Sequence, residues 1–114
     1  MKPVLIVDDE RDFREGLQQL IAASGYEVFT ASNGKDALEL LAVIPSPGVI
    51  FTDLMMPTMN GHQLLGALAQ NPALAQIPVV MVSAAPVSVR GVAAFLKKPP
   101  DLDELLNAVR HYCG

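Results

Sequence analysis

Six residues of this chain combine into chemistry that none of them does alone: Asp8-Asp9, Asp53, Ser83 and Lys97-Lys98. Each group stands where a short apolar run ends: Val4 to Val7, Val49 to Thr52, Ile77 to Val82 and Ala93 to Leu96. Carboxylates brought close together repel, by about 4 kcal/mol per pair at 4 Å and an effective dielectric of 20. Such a cluster is kept when a cation binds there. Carboxylates with open positions left for water and phosphate oxygens suit Mg²⁺. A carboxylate beside that ion can act as a nucleophile toward phosphorus and form an aspartyl phosphate. The ion and a lysine supply the positive charge that phosphoryl transfer needs, and the Ser83 hydroxyl can donate to a phosphoryl oxygen. Each residue also has an ordinary role: Asp8 or Asp9 as a helix cap, Ser83 in a turn, Lys98 as a solvated charge.

The elements that must position these residues follow from hydrophobic periodicity. Val4 to Val7 is a continuous apolar run, as in a strand covered on both faces. Phe13, Leu17, Leu20 and Ile21 recur at the spacing of one helix face, and Ser24-Gly25 ends that helix. Glu27 to Ala31 reads as a second strand. Asn33 caps a second helix that turns Ala37, Leu40, Leu41 and Ile44 inward before Pro45-Ser46-Pro47-Gly48. The strand before Asp53 is third. A helix from about Gly61 buries Leu64, Leu65 and Leu68 and stops at Asn71-Pro72. Ile77 to Val82 and Ala93 to Leu96 are strands four and five. Asp101 with Glu104 forms a capping box for a last helix facing the core through Leu102, Leu105, Leu106 and Val109. Strands alternating with helices predict an α/β fold: a parallel sheet with helices on both faces. All parallel strands end on one edge, where open sheets bind ligands, so the residues named above converge. Ala84 to Val92, with Pro86 and Gly91, lacks helical periodicity and reads as a loop or one irregular turn.

With 114 residues the chain reads as a single domain, 1–114, and 51% hydrophobic against 18% charged residues argues for a compact globule. A formal charge of −4 with no basic stripe argues against direct nucleic-acid binding. The lone cysteine, Cys113, leaves no internal disulfide. Asp8-Asp9-Glu10 cuts the first apolar run too short for a signal peptide, and no stretch approaches the roughly 20 apolar residues of a membrane span. The expectation is a soluble cytoplasmic protein. His62 and His111 read as exposed helix residues, and Met55, Met56 and Met59 as packing.

The ordered set Asp8-Asp9, Asp53-x-x-Met56-Pro57 with Gly61 behind it, Ser83, and Lys98-Pro99 resembles the receiver domain of two-component response regulators. The resemblance spans the whole chain. It implies a flavodoxin-like doubly wound sheet of five strands in the order 2-1-3-4-5. It implies Asp53 as the phosphoacceptor in a phosphorelay, taking its group from a histidine kinase or a histidine phosphotransfer protein. Mg²⁺, with Mn²⁺ as a substitute, would be bound by Asp8, Asp9, Asp53 and the Met55 backbone carbonyl. Lys98 rather than Lys97 is the implied lysine because it precedes Pro99, whose peptide bond is expected to be cis. Phe95 takes the position of the switch aromatic that moves inward with Ser83. A downstream effector or fused output domain is the implied partner, and a homodimer is left open. The implied protein is a signalling domain, not an enzyme beyond its own phosphorylation and dephosphorylation.

Only 15 positions separate Ser83 from Lys98, so the fourth helix of the family is expected to be shortened or missing. Pro100 stands where the family often has an aromatic residue. Two other readings stay open. An aspartate-nucleophile phosphatase of the haloacid dehalogenase type would need a second Asp at position 55, which is Met. A receiver that binds partners without being phosphorylated is the other.

Overall fold

The computed structural model describes residues 1–84 and 89–114. Among them run five strands and four helices: β1 (Val4–Val7), α1 (Arg11–Ala23), β2 (Val28–Ala31), α2 (Gly34–Leu41), β3 (Val49–Thr52), α3 (Gly61–Gln70), β4 (Val79–Ser83), β5 (Ala94–Lys97) and α4 (Leu102–Cys113). All strand pairs are parallel, and the order is β2-β1-β3-β4-β5.

Alternation along each buried strand divides the core in two. Val4 and Ile6 of β1, with Val49 and Phe51 of β3, pack against Leu17 and Ile21 of α1 and Leu105 and Val109 of α4. Leu5, Val7 and Ile50 face the other way, onto Ala37 and Leu41 of α2 and Leu64 and Leu68 of α3. Both faces of the sheet are thereby covered, as continuous apolar strands require. A third, smaller cluster of Leu54, Met81 and Val89 lies toward the carboxyl edge, with Phe95 half-buried against it.

Caps and turns set where the helices begin and end. Gly25 takes φ +96° past α1, and its N–H donates to the Ala22 carbonyl at 3.0 Å. Asn33 caps α2 through Asp36 N. The reciprocal capping box forms at α3, where Asn60 and Gln63 each accept from the other's backbone N–H at 2.9 Å. At α4 the Asp101 carboxylate accepts from both Asp103 N and Glu104 N, which is the Asp101 half of the box expected with Glu104; among the described residues the Glu104 side chain does not return a bond to Asp101 N.

Two leucines depart from the periodicity. Leu20 is 46% exposed and Leu102 is 45% exposed. Leu20 lies at the edge of its stripe, where 100° steps carry a side chain past the sheet. Leu102 is the first residue of α4 and precedes the turn that meets the core. α2 stops at Leu41, and Ile44 packs on the core from the turn that follows. Among the described residues no helix lies between β4 and β5, in line with a shortened fourth helix. The expectation of a loop or irregular turn over 84–92 falls partly on 85–88, outside the described residues.

Candidate functional site

β1 and β3 are neighbours in the sheet, with Val7 paired to Thr52, so the next residue on each strand is an aspartate. Asp53 N donates to the Val7 carbonyl at 3.1 Å, and Asp8 N donates to the Ala31 carbonyl at 3.1 Å. The backbone thus fixes both acids before their side chains do anything. Oxygens of Asp8, Asp9 and Asp53 lie within 4.8 Å of one another. Asp8 is buried, Asp53 half-buried and Asp9 exposed. The two cap roles considered for Asp8 and Asp9 are not what forms: Glu10 is the N-cap of α1, with no side-chain cap bond. Asp8 Oδ1 instead accepts from Glu10 N at 2.8 Å in a tight turn.

Lys98, the residue after β5, reaches back across the edge. Its Nζ donates to Asp8 Oδ2 at 3.0 Å and to Asp53 Oδ2 at 3.3 Å. Lys97 belongs to β5 and is exposed. Ser83 ends β4 beside it, buried, and its carbonyl accepts from Lys98 N at 2.9 Å. Burial pushes the Asp8 carboxyl above its ordinary value, against the Glu10 N–H and Lys98, which pull it down. Burial would lower Lys98, but the carboxylates of Asp8 and Asp53 outweigh it and hold the ammonium above its ordinary value. The site is therefore a place where negative charge is held at a cost.

The loop after Asp53 is built to clear this edge. Met55 N donates to Asp53 Oδ1 at 3.4 Å, bringing the Met55 main chain to the carboxylate. Gly61 N donates to the Leu54 carbonyl at 2.9 Å, and a Cβ on Gly61 would come within 2.6 Å of the Asp53 carbonyl oxygen. Only glycine lets α3 start this close to the strand end. Met56 and Met59 pack on the core, whereas the Met55 side chain is 73% exposed. His62 and His111 are exposed.

The chain matches the model of the response regulator receiver domain over residues 4–110. It belongs to that family. Protein PilG of Pseudomonas aeruginosa is 33% identical over 114 residues, covering 94% of this chain and 84% of that protein. The two-component response regulator ORR5 of Oryza sativa subsp. japonica is 38% identical over 103 residues, covering 84% of this chain and 77% of that one. Among solved structures, the chemotaxis response regulator CheY4 of Vibrio cholerae superposes with a TM-score of 0.87 at 27% identity, covering 98% of each chain.

In this receiver domain Asp8, Asp9, Asp53, Ser83 and Lys98 lie on one sheet edge. The Lys98-Pro99 peptide is cis, and Phe95 stands half-buried beside Met81 and Leu54. Two contacts of the site escape a reading of the sequence. Arg14 Nη1 donates to the Asp8 carbonyl at 2.8 Å, and the Phe13 ring centroid lies 4.1 Å from Lys98 Nζ. The helix spacing placed Phe13 inward, but nothing in one sequence links it to a lysine 85 positions away.

Proposed function

We propose that Asp53 accepts a phosphoryl group from a phosphohistidine, on a histidine kinase or a histidine phosphotransfer protein, in a Mg²⁺-dependent reaction. The aspartyl phosphate then shifts the domain between conformations that a downstream partner reads. The observation that carries this is Lys98 Nζ bonded to both Asp8 and Asp53 inside a three-carboxylate cluster. In transfer, an Asp53 carboxylate oxygen forms a bond to phosphorus while the phosphorus–nitrogen bond of the donor breaks. The bonding pair goes to the imidazole nitrogen. Water later attacks the aspartyl phosphate, restoring the carboxylate and releasing inorganic phosphate.

The donor set fits a divalent cation: three formal negative charges meet one ammonium, all ligands are oxygens, and the exposed Asp9 leaves the cluster open on one side. Asp8, Asp9, Asp53 and the Met55 carbonyl would hold Mg²⁺, with Mn²⁺ as a substitute. Bound there, the ion supplies charge that offsets the phosphoryl oxygens. Lys98 releases its hold on Asp53 Oδ2 to pair with a phosphoryl oxygen, and Ser83 donates its hydroxyl to another. Movement of Ser83 toward that oxygen makes room for Phe95, which lies against the same cluster as β4.

The donor must bring its histidine to this edge. Leu20 and Leu102, exposed, line an apolar groove of about 310 Å³ between α1 and α4 that also includes Leu17, Pro99 and Pro100. Pro99 follows Lys98 in the chain, so a donor helix seated there would lie on the flank of the site that carries Lys98. Phosphoramidate, which carries the same phosphorus–nitrogen bond, tests the chemistry. Phosphorylation in Mg²⁺ and none in EDTA is expected; equal incorporation in both would contradict the proposal.

A further inference from the structure

The Lys98 ammonium ends a flexible four-carbon stem, yet the reaction proposed above needs it held at this edge, between the two carboxylates before transfer and against a phosphoryl oxygen after it. A lysine ammonium is a compact charge with no geometry of its own. Two of its contacts are electrostatic: 3.0 Å to Asp8 Oδ2 and 3.3 Å to Asp53 Oδ2. Both weaken as a guide when the carboxylates turn to a metal ion. A third contact does not depend on those oxygens. The Phe13 ring, in the first turn of α1, lies under Nζ at 4.1 Å from its centroid. That is well inside the range of about 6 Å over which a ring face attracts a cation. The Lys98 side chain is only 16% exposed, so the attraction is poorly screened by water. Phe13 is itself held, packed on the core of Leu17, Ile21 and Leu105 and lining the groove beside Pro99.

We propose that Phe13 is a positioning residue of the receiver site: its ring face holds the Lys98 ammonium in place between Asp8 and Asp53. The ring touches neither phosphoryl group nor metal and acts only through Lys98. This rests on the phosphoacceptor reading for its kinetic consequence, but not for its geometry. A leucine fills the same space without a π face, whereas a tyrosine keeps the face. The two roles, packing and positioning, therefore separate.

The direct test is the proton spectrum of the metal-free wild-type protein. A CH₂ next to an ammonium seated on a ring face is shifted upfield by the ring current. The Lys98 Cε protons are expected upfield of their ordinary position in wild type and in Phe13→Tyr, and at their ordinary position in Phe13→Leu. Phosphorylation by phosphoramidate and Mg²⁺ is expected to be about 3- to 10-fold slower in Phe13→Leu and near wild type in Phe13→Tyr. Unshifted Lys98 protons in wild type would overturn the proposal, whatever the kinetics. So would equal slowing in Phe13→Leu and Phe13→Tyr, which would mean that shape alone matters. A wild-type protein with shifted Lys98 protons that takes no phosphoryl group would instead count against the phosphoacceptor reading and leave the Phe13 geometry standing.

Discussion

At the scale of residues, Asp8 is where stability and the proposed function oppose each other. It is 2% exposed, and burial holds its carboxyl above the ordinary value despite Lys98 and the Glu10 N–H. A carboxyl raised in the folded state binds its proton more tightly there than in the unfolded chain. Its favourable contribution is complete below the unfolded value and is lost as pH rises through the folded one. At neutral pH the metal-free protein therefore carries Asp8 at a cost. Asp8→Asn keeps the oxygen that accepts from Glu10 N and leaves Lys98 paired with Asp53. It is expected to raise metal-free stability at pH 7, because the cost of holding a buried charge is removed. The gain should shrink as pH falls toward the ordinary carboxylate range, which thermal melts across pH would follow. Lys98, raised by its pairing, contributes stability at neutral pH and loses it only above the ordinary lysine range. Asp9 differs because it is exposed and α1 is capped at Glu10. Asp9→Ala is expected to weaken Mg²⁺ binding about tenfold in calorimetry without lowering the metal-free melting temperature. A clear loss of metal-free stability would return Asp9 to a structural role.

At the scale of elements, the loop from Leu54 to Asn60 and the start of α3 decide where Asp53 points. Thr58 sits at φ +67°, a backbone region that β-branched residues rarely enter. Strain of this kind costs on the order of 1 kcal/mol, partly offset by glycine's greater freedom when unfolded. Thr58→Gly is thus expected to raise the urea midpoint slightly. Gly61→Ala acts the other way, because its Cβ would press on the Asp53 carbonyl at 2.6 Å. A loss of roughly 2 kcal/mol or more is expected, together with slower phosphorylation, since the strand end must shift. Much at this scale is legible in the sequence. Apolar runs ending in Asp, Ser or Lys located β1, β3, β4 and β5 and the polar residues at their ends, whereas β2 was read from its β-branched and aromatic residues alone. Other features escape. Leu20 and Leu102 keep helical spacing but fall outside the buried stripe, because periodicity gives direction and not the width of the covering sheet. The Asn60-x-x-Gln63 box was present in the letters, but either amide also suits a loop, and only the chain's path into α3 decides.

At the scale of the whole molecule, two apolar layers hold one sheet, and the sheet holds the acids. Phe51, 1% exposed, sits in the α1 and α4 layer two positions before Asp53. Phe51→Ala is expected to cost about 3–5 kcal/mol, and the site should be lost with the fold in one cooperative transition. Topology explains why the site was readable at all. A parallel sheet puts residues 8, 53, 83 and 98 on one edge, so their order along the chain carries their convergence in space. What is not legible is the pairing of Phe13 with Lys98, a consequence of how α1 crosses the sheet. The proposed function turns on one acceptor, Asp53. Intact and peptide mass spectrometry after phosphoramidate and Mg²⁺ treatment, on wild type and Asp53→Asn, tests it most directly. One phosphoryl group on Asp53 in wild type and none in Asp53→Asn is the predicted result; equal incorporation in the two proteins would contradict it.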